Sequence, residues 1–317
     1  MAEYPGFSEL PVREGAPPGS SWGVFGDDDE LGTVNFITDA DVRAAAALVK
    51  RGVVFALNWD LSLPSPAFFL RGTVRHTVFE KYPGVAIDDY VDSFWPQASS
   101  QWDGLRHIAA PDVGFYNGAS LAEVSQPGAG RLGIEKWGER GIVGRGVLID
   151  VLASAERAGG SIDPFEFFAI GPDVIERIAG EQGVEIRGGD ILILRTGWVE
   201  AYERLHQCER EEYAELVRPG SPGLYGDDIP AFLWDNRIAA VAADNPALEA
   251  GHHGKGCDLA LHRSLIALLG VPLGELWDVQ HLAHDCAADG RYEFLLTSAP
   301  LRLGGGVGSP PNALALK

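Results

Sequence analysis

Apolar residues fall along this chain in short runs cut by glycine, proline and acidic positions, and the runs follow two different periods. Residues 53–59, 146–151, 189–197 and 238–244 are nearly continuous apolar stretches bounded by Gly or Asp, the pattern of strands buried on both faces. Residues 42–51 read as a helix, with Thr38, Asp39 and Asp41 ahead of it as N-cap candidates and Gly52 as its stop. A second helix is predicted over 172–179, opened by Pro172 and Asp173 and followed by Gly180; two more are predicted over 230–235 and 259–269, the latter closed by Gly270. Residues 291–296 and 300–303 predict two late strands. Strands and helices thus alternate without a strict βαβ rhythm and without an internal repeat, which predicts a single α/β domain on a mixed sheet. Residues 1–37, rich in Pro, Gly, Ser and acid, predict an irregular lead-in wrapped on the surface, with 38–317 forming the domain. Between 61 and 127 the pattern breaks into short apolar pieces, as in loops that carry a site.

Composition narrows the class of function. With 317 residues, 46% hydrophobic and 22% charged, the chain can bury one large core and is neither disordered nor fibrous. Its 45 acidic residues against 25 basic ones give a formal charge of -20, which repels nucleic-acid phosphates and anionic membrane surfaces. A small molecule or another protein is the expected partner. Cys208, Cys257 and Cys286 match neither a disulfide framework nor a zinc knuckle and are expected to be reduced. No basic and apolar leader or long apolar run is visible, so the expected location is the cytoplasm.

Candidate chemistry concentrates in two places. Asp103 and His107 stand at i and i+4 among amides, where the acid can hold a cation and the imidazole move protons. The same pair also reads as a helix N-cap followed by a half-buried helical histidine. His262 lies in an apolar helical run, as a core histidine or as a ligand. Glu275, between Leu273 and Leu276, is an acid that burial would leave in need of a cationic or imidazole partner. His252 and His253, in a glycine-rich stretch, are an alternative source of ligands, and His281 and His284 suit a helix surface. Gly304–Gly308 is followed by prolines rather than a helix, so it is no phosphate loop, and no Gly-x-Ser-x-Gly elbow occurs.

Several segments together resemble the cyclase family that includes bacterial kynurenine formamidase and isatin hydrolase. They are Trp22-Gly23 with Asp29 to Asn35, Gly144 to Asp150, Gly189-Asp190 through Trp198, Asp244-Asn245, His262 to Glu275, and Gly308-Ser309-Pro310. The resemblance covers most of the chain, and the acidic opening is similar to that of a longer, divergent branch. It implies a kynurenine formamidase-like fold of the swivelling β/α/β type: a mixed sheet with a barrel-like core flanked by helices. The family signature His-x-Gly-Thr-His-x-Asp-x-Pro-x-His falls on Gln97 through His107. Asp103 and His107 match it, Ser100 and Leu105 replace the threonine and proline, and Gln97 and Gln101 replace two metal-binding histidines.

By resemblance, Asp103, His262 and Glu275 hold a divalent metal with Gln101 as a further ligand, and His107 with Glu275 serves catalysis. A glutamine carbonyl is a weaker zinc ligand than imidazole and suits harder ions. Either the site holds manganese, zinc, magnesium or calcium, or it holds no metal and Gln97 and Gln101 bind substrate. The implied activity is hydrolysis of a cyclic or aryl amide, imide or lactone. The alternatives are a non-hydrolytic cyclase or dehydratase acting on a polyketide-like intermediate, and a metal-free binding protein. Trp95, Trp102, Phe115 and Tyr116 surround the motif in sequence and fit either an aromatic ligand or core packing, and Asp244 is a further candidate substrate contact. Family members are commonly oligomeric, which implies a homo-oligomer, dimer or tetramer.

Overall fold

The computed structural model describes residues 4–216, 220–251 and 259–317. After the lead-in, β1 (Val54–Ala56) is followed by a hairpin of β2 (Arg75–Tyr82) and β3 (Ala86–Asp92), then by the short β4 (Gln101–Asp103). The middle of the chain supplies β5 (Ile142–Asp150), β6 (Phe168–Ile170), β7 (Ile191–Arg195), β8 (Pro222–Leu224) and β9 (Ala240–Ala243). Last come β10 (Leu273–Glu275), β11 (Glu293–Ser298), β12 (Gly308–Ser309) and β13 (Ala313–Leu316). Nine of them form one sheet in the order β1-β13-β11-β5-β7-β9-β10-β4-β12, while β2-β3 and β6-β8 pair separately. The nine-stranded sheet curls into a half-barrel flanked by helices, the mixed α/β architecture expected from the alternation of elements.

The centre of the sheet is parallel, β5-β7-β9-β10, and is built from the continuous apolar runs. Ile191 to Leu194 and Ala240 to Ala243 are fully buried, because helices cover both faces. Two buried arginines fix the register. Arg195 on β7 pairs with Asp150, its Cα partner on β5, at 3.1 Å and with Glu200 at 2.9 Å. Arg145 on β5 reaches Asp190 at 2.9 Å and Glu293 at 2.7 Å. Each charge withdrawn from water meets an opposite one, so a slipped register would strand several of them at once.

Several elements differ from expectation. The first helix, Asp39–Ala46, starts on a Thr38–Asp41 capping box but ends before Arg51. The second, Pro172–Glu181, continues through Gly180. Residues 259–269 begin as the turn Ala260–His262 and widen into a π-helical stretch, Arg263–Leu269, which stops at Gly270 with φ +73°. Residues 300–303 form no strand; the late antiparallel partners are β12 and β13. The β2–β3 hairpin emerges from the stretch expected to be loop.

The lead-in contributes Trp22, Val34, Phe36 and Ile37 to the main core. Trp22 Nε1 donates to the Ala267 carbonyl at 2.9 Å, and Thr33 N to the Gly270 carbonyl at 2.9 Å. Asp29 accepts from Gly32 N, Asn35 Nδ2 and the Tyr116 hydroxyl. Cys208 is an exposed and Cys286 a buried free thiol; Cys257 lies outside the described residues. No helix of the described residues is long and apolar enough to cross a membrane.

The tightest joint between lead-in and core is Gly32 against Gly270. Gly32 has φ +62°, and a Cβ there would stand 1.9 Å from the Gly270 carbonyl oxygen. Gly84, in the hairpin turn, also has a positive φ, +68°, but open space around it. Gly84→Ala is therefore expected to cost only the left-handed strain of about 1–2 kcal/mol. Gly32→Ala adds a backbone clash and should cost more than about 3 kcal/mol. Urea unfolding of the two variants checks this ranking, and equal losses would contradict it.

Candidate active site

Antiparallel pairing of β4 with β10 sets Gln101 opposite Glu275 and Asp103 opposite Leu273. Side chains alternate along a strand, so Gln101, Asp103 and Glu275 share one face while Trp102 points to the other. There Trp102 donates to Ser298 Oγ at 2.9 Å and packs edge-on against Trp277. The helix-cap reading of Asp103 and the helical reading of His107 therefore fail: Asp103 ends a strand and His107 follows in a turn, its N–H bonded to the Gly104 carbonyl.

Opposite this face stands the His262 imidazole. Its Nδ1 lies 2.5 Å from Glu249 Oε1, which also accepts the His262 backbone N–H at 2.8 Å. Its Nε2 faces Glu275 Oε1 at 3.1 Å and Asp103 Oδ2 at 3.8 Å. Burial pulls the imidazole pKa down, but the Glu249 and Glu275 hydrogen bonds outweigh it and hold it at about 10. Burial, reinforced by the neighbouring Asp103 carboxylate, pushes Glu275 up to about 7. Gln101 Nε2 donates to Glu275 Oε2 at 2.5 Å. Sequence reading missed Glu249, since nothing local marks an acid whose partner lies 13 residues on.

A divalent cation fits this cluster. Asp103, His262 and Glu275 are all buried and present ligand atoms within 4.8 Å of one another. Asp103 Oδ2 and Gln101 Oε1 are buried without a hydrogen-bond partner. With Nδ1 committed to Glu249, His262 directs Nε2 at the carboxylates, the carboxylate–histidine arrangement that orients metal ligands. Oxygen donors outnumber nitrogen, which suits the harder ions.

His107 stands 3.7 Å from Asp103 Oδ2 through Nε2, and its ring centroid is 6.5 Å from that of His262. Burial lowers its pKa, so it is neutral near pH 7. Gln97 Nε2 donates to His107 Nδ1 at 2.9 Å. A glutamine amide can turn over to accept from Nδ1–H instead, so Gln97 can support either tautomer. Asp103, His107, His262 and Glu275 line one pocket of about 230 Å³, walled by Ile108, Pro246, Ala247 and Leu259.

The remaining candidate substrate contacts lie elsewhere. Trp102 is core, Trp95 lies on the surface beside Gly72, and Tyr116 is buried against the lead-in with its hydroxyl on Asp29. Phe115 also packs in the core. Asp244 accepts from Thr196 N, Thr196 Oγ1 and Gly197 N at 2.7–2.8 Å, anchoring the end of β7. Arg71 and Phe69, which do line the pocket, carry no sequence signal that sets them apart. His252 and His253 lie outside the described residues, and His281 and His284 are exposed on the helix Gln280–Asp289.

Residues 60–250 match the model of the family described as "Putative cyclase". A crystal structure described as that of a novel cyclase is 36% identical and superposes with a TM-score of 0.84, covering 94% of this chain and 99% of its own. Isatin hydrolase A from Labrenzia aggregata, bound to benzyl benzoate, is 17% identical with a TM-score of 0.58, over 86% of this chain and 94% of its own. Isatin hydrolase A from Ralstonia solanacearum is 15% identical with a TM-score of 0.60, over 89% and 98%. No curated protein matches the chain.

If the cluster binds a cation, millimolar Mn²⁺, Mg²⁺, Ca²⁺ or Zn²⁺ raises the melting temperature by mass action. Asp103→Asn should abolish the rise, and Glu249→Gln should weaken the apparent affinity by about 10- to 100-fold. Differential scanning fluorimetry on chelator-treated protein reads both; flat curves with all four ions would rule the cation out.

Proposed function

The chain belongs to the cyclase family, and from that premise we propose that it is a metal-assisted hydrolase of a cyclic or aryl amide, imide or lactone. One observation carries the reading: a buried cluster of two acids and one oriented imidazole, with Asp103 Oδ2 unpartnered, opens into an apolar pocket beside a neutral histidine. Asp103, His262, Glu275 and Gln101 would hold the metal, most suitably manganese or another hard ion. Bound there, a divalent cation supplies Lewis acidity toward a carbonyl and lowers the pKa of water.

The rest is work for this chain's own side chains. Glu249 keeps His262 in one tautomer, so its Nε2 stays aimed at the carboxylates. With the Gln97 amide turned over so that its oxygen accepts from Nδ1–H, neutral His107 takes a proton at Nε2 from the attacking water and returns it to the leaving nitrogen or oxygen. Pocket walls of Ile108, Pro246 and Leu259 exclude bulk water and fit a flat or cyclic substrate. The isatin hydrolases share the fold at low identity.

Two rivals remain open to test. A metal-free site is favoured by the Gln101–Glu275 bond and by a His262 imidazolium that itself offsets carboxylate charge. A non-hydrolytic cyclase would use His107 without a water nucleophile. Once a turned-over substrate is in hand, ¹⁸O water separates hydrolysis from cyclisation, because only hydrolysis places solvent oxygen in the product. His107→Ala should lower kcat by about 10²- to 10⁴-fold while leaving ligand affinity within a few-fold. An unchanged kcat would remove His107 from the chemistry.

We propose further that the chain forms a homo-oligomer through the β2–β3 hairpin. A lone two-stranded hairpin is marginal in water, yet this one exposes Val78, Phe79, Tyr82, Val85, Ile87 and Tyr90. The register puts Phe79, Tyr82 and Tyr90 on one face and Val78 and Ile87 on the other, so a second copy clasping the hairpin would cover apolar side chains on both faces. Its Lys81–Asp88 and His76–Asp89 pairs offset acids locally in a chain of net charge -20, which eases the approach of a second copy. Light scattering should give a multiple of the 34.0 kDa chain mass. Val85→Asp with Ile87→Asp should give the monomer; a monomeric parent protein at micromolar concentration would overturn the assignment.

A further inference from the structure

We infer that Arg71 is the recognition group for a carboxylate on the ligand, so that the pocket takes an anionic substrate bearing a carboxylate apart from its reacting carbonyl. This rests on the reading of the pocket as the substrate site and adds the chemical class of what enters it. Arg71 lines the pocket, with its guanidinium over the Phe69 ring at 5.2 Å from the centroid. One of its Nη1–H groups donates to the main-chain carbonyl of Gln97. That is the side chain's one hydrogen bond among the described residues, none of whose carboxylates stands within ion-pair distance of it. A guanidinium carries five N–H donors, so most of the fork is unspent.

This vacancy of partners is notable in context. Acids outnumber bases 45 to 25 in this chain; the buried Arg145 and Arg195 are each paired with two carboxylates, and the buried Arg106, which has no carboxylate, spends its guanidinium on the carbonyls of Arg131, Ala129 and Gly305. Arg71 is close enough for its charge to bear on both His107 and Glu275, yet it is held off them by Gln97 and Phe69. Gln97 thereby links two functions: its carbonyl holds Arg71 while its amide holds His107.

A second polar group points the same way. Ser221 is 1% exposed and lines the pocket, and its Oγ has no hydrogen-bond partner among the described residues. A buried hydroxyl without a partner is costly unless a ligand completes it. With Ile108, Pro246 and Leu259 as the apolar remainder, the pocket presents one planar fork and one hydroxyl to a ligand. A single guanidinium matches a carboxylate in bidentate fashion. A phosphate with two charges would call for further cations, and Arg71 is the lone cationic side chain besides the histidines among the lining residues described.

Benzoate and benzamide, near-isosteres that differ in charge, serve as probes in calorimetric or NMR titrations of the metal-loaded protein. Benzoate should bind the parent protein about tenfold or more tightly than benzamide. Arg71→Met should erase that preference while leaving benzamide affinity within about threefold, which also shows that the pocket is intact; Arg71→Lys should restore part of it. His107→Ala should keep the preference, so a protein that proves not to be a hydrolase can still pass or fail this test. A benzoate preference that survives Arg71→Met would place the carboxylate elsewhere, on the metal cluster for instance. Equal affinities in the parent protein, or no saturable benzoate binding, would overturn the inference as well.

Discussion

Three carboxylates are buried around one imidazole: Glu249 and Glu275 hydrogen-bond to His262 at 2.5 and 3.1 Å, and Asp103 stands 3.8 Å from it. Burial takes all four largely out of bulk water, so most of the charge must be balanced inside the cluster. Protonated His262 offsets one negative charge and a raised Glu275 pKa blunts a second, but Asp103 Oδ2 still finds no donor. A divalent cation would resolve this with one particle. The rest of the local structure serves that constraint. The three-residue β4 persists because β10 on one side and β12 on the other hold it, and its brevity lets the chain turn at once to bring His107 back over Asp103.

The segments that carry the family resemblance divide into two kinds once seen in space. Arg145, Asp150, Asp190 and Arg195 are a scaffold of buried ion pairs that locks β5 against β7. Asp29 and Asn35 clamp the lead-in, and Asp244 ties off the end of β7 with three hydrogen bonds. Only Asp103, His107, His262 and Glu275 among these positions reach the pocket. A motif rich in charged residues therefore marks rigidity here as often as chemistry, because a buried charge must be placed as exactingly in a scaffold as in a site.

Legibility in the sequence followed the strength of periodicity. The central strands were readable because Ile191 to Leu194 and Ala240 to Ala243 must be apolar on both faces. Strand β4 was not, since three residues are too few to show alternation, and so Trp102 was grouped with the site when its neighbours' pleat turns it away. The hairpin escaped for another reason: little of it is buried within the chain, and apolar residues such as Val78 and Phe79 fall on both of its faces, so no single-face alternation emerges. Glu249 and Arg71 are invisible locally because their meaning comes from partners distant along the chain, His262 in one case and the Gln97 carbonyl in the other.

The two glutamines that the family resemblance sets at metal-binding histidine positions stand in separate places, and the difference bears on what the site can do. Gln101 remains at the cluster, donating to Glu275 and leaving Oε1 free toward it. Gln97 has moved to the proton-transfer side, bonded to His107 and, through its main chain, to Arg71. An amide in place of an imidazole leaves the charge count unchanged, so a cation would meet the same buried carboxylates in either case. What would differ from a histidine-rich site is softness and basicity: the cluster here is oxygen-rich, and a cation held there would be bound more weakly and with a harder preference. The same exchange gives His107 an amide partner able to serve either tautomer, and a neutral base at physiological pH needs such a partner to move a proton both ways.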